Sequence, residues 1–437
     1  MVFVWAAIMI IAAADVAFAQ GYGGPSMLSR GGNRPGRRGR APADIAVYGG
    51  LRGTAETGLT PVRLEDDGTI VKQTAYGIQA EIGAYGTHSW KRSILGLDYR
   101  GDYRRSTRRR TFNGVNQALS LDLQTQLNRR TAIIFRETGG TTNRAFGGFA
   151  ASVASDLQSL NLANNEVFDS RSYFSQTTAT VAYRQTARTT YIVSGDGFFV
   201  KRPDPRLVGV VGYRGSGAIE YRLNSRSTAG LAYNYVNFSF PRVHGGADAH
   251  GLAATFTRAV TRNLNLLLTG GVFRVESFGT QSIELSPEIA ALLGQRTGFE
   301  AFNRKSWIPQ IQTSANYTLE RSRFSLAYVN GLSPGNGVYL TSQSRSVAAG
   351  YSFAGTRKLS LGASARHLRM KSESISIRDI RSSAAGGGVN YHLTSLLNLS
   401  SQIDYRTFRS PGLRGREGFA FVFGFTVSPS RIPLSIW

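Results

Sequence analysis

Arginines and carboxylates recur at alternate positions of this chain, and their chemistry limits what they can do. Arg100, Arg136, Arg184, Arg214, Arg222, Arg258, Arg366 and Arg406 are placed on the polar faces of alternating segments, with Asp122 and Glu220 among the carboxylates on the same faces. Glu81, Asp98, Asp196 and Asp404 belong to that set too. A guanidinium is permanently charged and grips carboxylate or phosphate through two parallel hydrogen bonds. Such residues either attract passing anions or cross-brace a polar wall, and the pattern alone leaves both open. A second group, Arg104, Arg105, Arg108, Arg109 and Arg110, falls where a surface loop is expected and is a candidate contact for surface anions. Catalytic constellations are missing. The five histidines are scattered, no HExxH occurs, and no glycine loop carries the phosphate-binding lysine. The absence of cysteine excludes a thiolate nucleophile, an iron–sulfur cluster and thiolate-ligated zinc. No enzyme activity, cofactor or metal is expected.

The composition sets the scale of the architecture that must position these residues. The chain has 437 residues, 50 of them glycine, and a formal charge of +24 from 51 basic against 27 acidic side chains. Only six of the basic residues are lysine, so the basicity is almost entirely guanidinium. After residue 42 no linker or compositional break interrupts the chain, which argues for one continuous domain over residues 43–437. Ahead of it, Val2 to Ala14 is an apolar run, and Ala17-Phe18-Ala19 has the small-x-small form read by signal peptidase, so residues 1–19 are expected to be a secretory signal. Residues 20–42 are rich in glycine and arginine with almost no apolar anchor, the composition of a disordered arm. Gly/Arg tracts also occur in RNA-binding segments, but behind an export signal no nucleic-acid partner is expected.

The elements themselves have a period of two. In Val115–Leu127 the odd positions are Val115, Gln117, Leu119, Leu121, Leu123, Thr125 and Leu127, and the even ones are Asn116, Ala118, Ser120, Asp122, Gln124 and Gln126. Phe419, Phe421, Phe423, Phe425 and Val427 form the most apolar face of all. Segments placed by this alternation are 43–52, 74–86, 93–104, 114–127, 130–138, 172–185, 188–200, 207–223, 226–240, 247–260, 262–276, 305–319, 322–332, 343–354, 357–371, 381–394, 396–408 and 417–428. Most are longer than the usual strand of about 5–6 residues and match the roughly 9–11 a tilted strand needs to cross a bilayer. Tight turns such as Asn128-Arg129-Arg130 and Asn224-Ser225 alternate with longer connections, of which 139–171 and 277–304 are the longest. Aromatics such as Tyr183, Tyr221, Phe256, Tyr317 and Tyr351 stand four to six residues before a turn arginine, as in an interfacial girdle. Parity demands an even count in a bacterial single-chain barrel, which brings in the weak segment Asp44–Leu51 and makes eighteen, with sixteen as the alternative.

With this pattern the chain resembles bacterial outer-membrane β-barrels of the porin-like kind over residues 43–437, and Trp437 fits their habit of ending in an aromatic residue. The prolines at 429 and 433 depart from the expected last strand. The resemblance implies an all-β, transmembrane, antiparallel up-and-down barrel in the bacterial outer membrane. Its expected function is passive diffusion of small polar solutes, anions among them. A non-conducting barrel, acting as an envelope scaffold or assisting export of an anionic polysaccharide, is the alternative. The expected partners are outer-membrane lipid with anionic headgroups and small solutes or an anionic polymer, with an oligomer open. Two long connections carry helical signals: Phe149, Val153, Leu157 and Leu160 share one helical face, and Ser286-Pro287-Glu288 through Gly294 has start and stop residues. Either could constrict the lumen or cap the outside.

Overall fold

Segments this long satisfy their backbone groups only by pairing on both sides, and a meander of them does so by closing on itself. In the computed structural model they close. The structure describes residues 43–57, 63–64, 70–71, 74–107, 113–143, 171–205, 207–284, 286–335, 340–353, 358–373, 379–394, 396–410, 413–427 and 432–434. The expected signal and arm, the Phe149–Leu160 helical face and Trp437 lie outside these residues.

The barrel strands are β1 (Ala43–Thr57), β2 (Thr74–Ser89), β3 (Ser93–Ser106), β4 (Gly114–Gln126), β5 (Thr131–Asn143) and β6 (Arg171–Arg184). Then come β7 (Thr189–Lys201), β8 (Val210–Arg222), β9 (Ser227–Ser239), β10 (Gly246–Ala259), β11 (Leu264–Glu284) and β12 (Thr297–Thr318). The last six are β13 (Ser322–Ser333), β14 (Ser342–Phe353), β15 (Leu359–Ser372), β16 (Ile380–His392), β17 (Leu397–Ser410) and β18 (Leu413–Val427). Each pairs antiparallel with its sequence neighbours, and β1 pairs with β18 from Gly49↔Val427 to Thr57↔Phe419, so the sheet closes as the expected 18-strand barrel.

The seam strand shows why its sequence signal was weak. Gly49, Gly50 and Gly53 interrupt the alternation of β1, which nonetheless runs to Thr57, five residues past its expected end at 52. Gly50 is required by close approach, since a Cβ there would lie 2.8 Å from both Glu81 Oε1 and the Phe425 carbonyl oxygen. At the other side of the seam β18 stops at Val427, and Ile432–Leu434 then rejoins Ala43–Ile45. Pro433 sits within this resumed pairing, opposite Asp44, and Pro429 lies outside the described residues.

One end of the barrel is closed by tight turns of recurring chemistry. Asn128 Oδ1 accepts from the Arg130 and Thr131 amides at 2.8 Å each. Thr186, Thr261 and Thr394 use their hydroxyls in the same way on the amides two and three residues on. This side-chain mimicry of a backbone turn is what Asn and Thr offer at that position. The opposite end carries most of the longer connections.

The segment 277–304, expected to be a loop, is for the most part strand. β11 and β12 stay in register from Leu264↔Tyr317 to Glu284↔Thr297, a ladder projecting beyond the rest of the barrel. At its tip is α1 (Pro287–Leu293), with Pro at its start and Gly294 in the left-handed conformation at φ 64°, as the start and stop residues indicate. Leu292, on this helix, is 85% exposed.

What fills the long-loop half of the barrel is different and was not foreseen. The residues Phe198, Val200, Val210, Val236, Phe238 and Phe273 face inward and pack into one buried cluster with Ala247, Ala249, Val275 and Ile308. Leu332 at the end of β13 joins it, as do Phe240, Val208, Val243 and Leu340 from the connections beyond the strands. Arg202 Nη1 donates to the Val208 carbonyl at 2.6 Å, and Arg242 Nη1 donates to the Asp204 carbonyl at 3.1 Å, which ties the 202–209 and 240–245 connections over this wall. Arg202 is itself buried, although it lies in a connection.

Candidate functional site

Two sectors of the inward face contrast, and a smaller apolar cluster of Leu368, Met370 and Ile380 lies on β15 and β16. From β6 to β13 the long-loop half of that face is the apolar wall just described. From β17 through the seam to β5 it is polar and charged, and here the registered strands bring together carboxylates and guanidinia that are far apart in sequence. Arg52 Nη2 donates to Glu81 Oε1 at 2.7 Å, and Thr426 Oγ1 donates to the same oxygen at 3.0 Å, which joins β1, β2 and β18. Arg104 on β3 pairs with Glu56 on β1, both buried. Asn116 Nδ2 donates to both oxygens of Asp102, at 2.8 and 2.7 Å. Arg136 Nε donates to Asp122 Oδ1 at 2.6 Å across the β4–β5 pair.

Two of these pairs are asymmetric in a way that bears on function. Arg100 lies 3.3 Å from Asp98, and the arginine side chain is 39% exposed against 8% for the carboxylate. Arg136 is 33% exposed against 3% for Asp122. In both, the carboxylate is held against the wall and the guanidinium faces the barrel interior. Each carboxylate accepts from its arginine and so fixes the guanidinium in place.

The sequence-derived lining residues separate accordingly. Arg184, Arg214, Arg222, Arg366, Arg406 and Glu220 lie on the inward face with Arg100, Arg136 and Asp122, as the pairings Arg184↔Thr190, Arg214↔Asp196 and Arg406↔Ala384 place them. Arg214 is buried, 4.0 Å from Asp196 and donating to Asn234 Oδ1 at 3.0 Å, and so braces the wall. Arg366 and Arg406 are likewise buried.

Arg258 is a correction. Its register partners Ser227 and Leu266 and its even spacing from Leu252 and Phe256 put it on the outward face, exposed near a tight turn. There its long side chain extends past its apolar neighbours.

Arg104 is a second correction, because it is a buried inward residue and no surface contact. β3 continues to Ser106 and so carries Arg104 inside the barrel, opposite Gln79. Arg105, one position on, is exposed on the other face. Arg108, Arg109 and Arg110 lie outside the described residues. Arg52, Glu56 and Asp102 were missed, the first two because β1 was read as a short, weak segment. The alternation Arg52, Thr54, Glu56 against Leu51, Gly53, Ala55 was the available signal.

No protein-family model matches the chain, and no curated protein matches it. Among solved structures it is similar to Pseudomonas aeruginosa OccK5 (OpdH), with 13% identity, 92% of this chain and 100% of that chain covered, and a TM-score of 0.42. The outer membrane protein opdK from Pseudomonas aeruginosa gives 11% identity, 88% and 99% coverage and a TM-score of 0.42. A BenF-like porin from Pseudomonas fluorescens Pf-5 gives 11% identity, 89% and 100% coverage and a TM-score of 0.42.

Proposed function

We propose that this barrel is a channel in the bacterial outer membrane for passive diffusion of small polar solutes, with a preference for anions. The tight turns would face the periplasm and the longer connections the outside, as in outer-membrane barrels. Support for a membrane setting comes from the outward face, where Phe419, Phe421, Phe423 and Phe425 stand exposed in one row. At this strand number a barrel is wide enough to enclose a water-filled path. The path would run between the apolar wall and the charged sector.

The observation that carries the anion preference is the exposed edge of Arg100 and Arg136 over buried Asp98 and Asp122. A solute passing there meets fixed guanidinia, with the compensating charge one layer behind. Basic linings of this kind favour anions.

The test is the reversal potential of the refolded protein in a planar bilayer under a salt gradient. Replacing Arg100 and Arg136 with glutamine should shift permeability toward cations, each by about fivefold, the effect of roughly 1 kcal/mol from one charge about 4 Å away in water. Arg258→Gln, on the outward face, should leave the potential unchanged. An unaltered potential in the double variant would remove the assigned role of these two arginines.

A further inference from the structure

The outward face is not uniformly convex. On β14, β15 and β16 the outward positions shrink to Ala349, Ala363, Ala365, Ala385 and Gly387, which the register sets side by side as Ala349↔Ala365↔Ala385 and Ala363↔Gly387. On either side the walls rise again. Phe324, Leu326 and Tyr351 stand on one side, with Phe324 and Tyr351 ring centroids 4.6 Å apart. Ile403, Tyr405 and Phe419 stand on the other, with Tyr405 and Phe419 4.7 Å apart. Between them lies a groove of about 820 Å³. Three strands at about 4.8 Å spacing make its floor about 10 Å across, room for two hydrocarbon chains side by side.

We infer that this groove holds the acyl chains of a glycerophospholipid from the periplasmic leaflet, with the phosphate at the tight-turn end. The inference rests on the membrane-spanning reading proposed above. Three features select this occupant. The lining is almost wholly carbon, so it offers a polar partner nothing to bind. A second barrel presents a convex face and would bridge the two walls without filling the floor, whereas flexible chains conform to it. Charge complementarity fixes the polarity of the lipid: the groove descends to Tyr317 and Tyr351, beside turns that expose Arg262, Arg321 and Lys358. Cations at that level pair with a phosphodiester.

The site would make the bound lipid part of the barrel wall. Small side chains leave β14–β16 with little side-chain packing on their outer face, and ordered chains would supply the missing dispersion contacts.

Native mass spectrometry of the full chain, extracted from outer membranes in mild detergent, tests this, with phosphatidylglycerol added as the probe and lipopolysaccharide as the competing source. One phospholipid adduct should survive detergent exchange. Ala365→Trp, which fills the floor, should reduce its retention at least about tenfold, as expected for displacing two buried methylenes. The pair Arg321→Glu and Lys358→Glu, which leaves the groove intact, should weaken it too, while Val193→Trp elsewhere on the outward face should not. Equal retention in the floor-filled and native proteins, or retention of lipopolysaccharide alone, would overturn the inference. Conductance of the same preparations separates this from the channel reading: current without retained lipid removes the groove site only, and retained lipid without current removes the channel only.

Discussion

Glu56→Gln should destabilise the barrel by about 3–5 kcal/mol, the cost of leaving a buried charge without its partner. The carboxylate and Arg104 are both buried inside the barrel, beside the seam where β1 closes on β18. Asp102, two positions from Arg104 on the same strand, already accepts from Asn116 through both of its oxygens. Equilibrium urea unfolding in phospholipid vesicles reads the loss directly. Removing both charges, with Glu56→Leu and Arg104→Met, should recover most of it, since apolar isosteres of a buried pair are often neutral or stabilising. A Glu56→Gln effect below about 1 kcal/mol would place water beside this pair and contradict its burial.

Phe273→Ala is expected to cost a similar amount, about 3–5 kcal/mol, because the ring is 0% exposed and its removal leaves a cavity. The ring lies over Gly251, where a Cβ would come within 2.4 Å of it, so glycine at that position is part of how the wall accommodates an aromatic. The same variant has a second readout. The cluster that contains Phe273 anchors Leu332, Leu340 and Val243 over the long-loop half of the barrel. Loosening it should raise single-channel conductance as these connections withdraw. A stability loss with unchanged conductance would show that the apolar wall bounds no part of the solute path.

Most of the strands and their number were legible because the apolar rows on the outward face are long, as in Leu119 to Leu123 on β4 or Phe419 to Phe425 on β18. Where both faces are apolar the period vanishes, and Phe198-Phe199-Val200 or Val208 through Val211 then marks a strand buried on its inner side. That run was the available sign of the inner wall. The charged sector was legible only in part. Composition and alternation identify Arg100, Arg136 and Asp122 as inward, but which carboxylate meets which guanidinium depends on cross-strand register, and register is set by loop lengths and by glycines such as Gly50. Arg258 shows the complementary error, since counting it with the polar face ignored that Leu252 and Phe256 share its parity. The five small residues of the outer groove alternate with others as small, such as Gly362, Ser364, Ala384 and Gly386, and become a feature only when β13 to β18 are laid side by side.

The channel reading stands or falls on ion current through the folded barrel. Purified protein, refolded and shown to be β-sheet by far-UV circular dichroism, would be inserted into a planar bilayer at neutral pH. Discrete, ohmic current steps with an anion-favouring reversal potential are the expected result. A folded, inserted barrel that passes no current would contradict it.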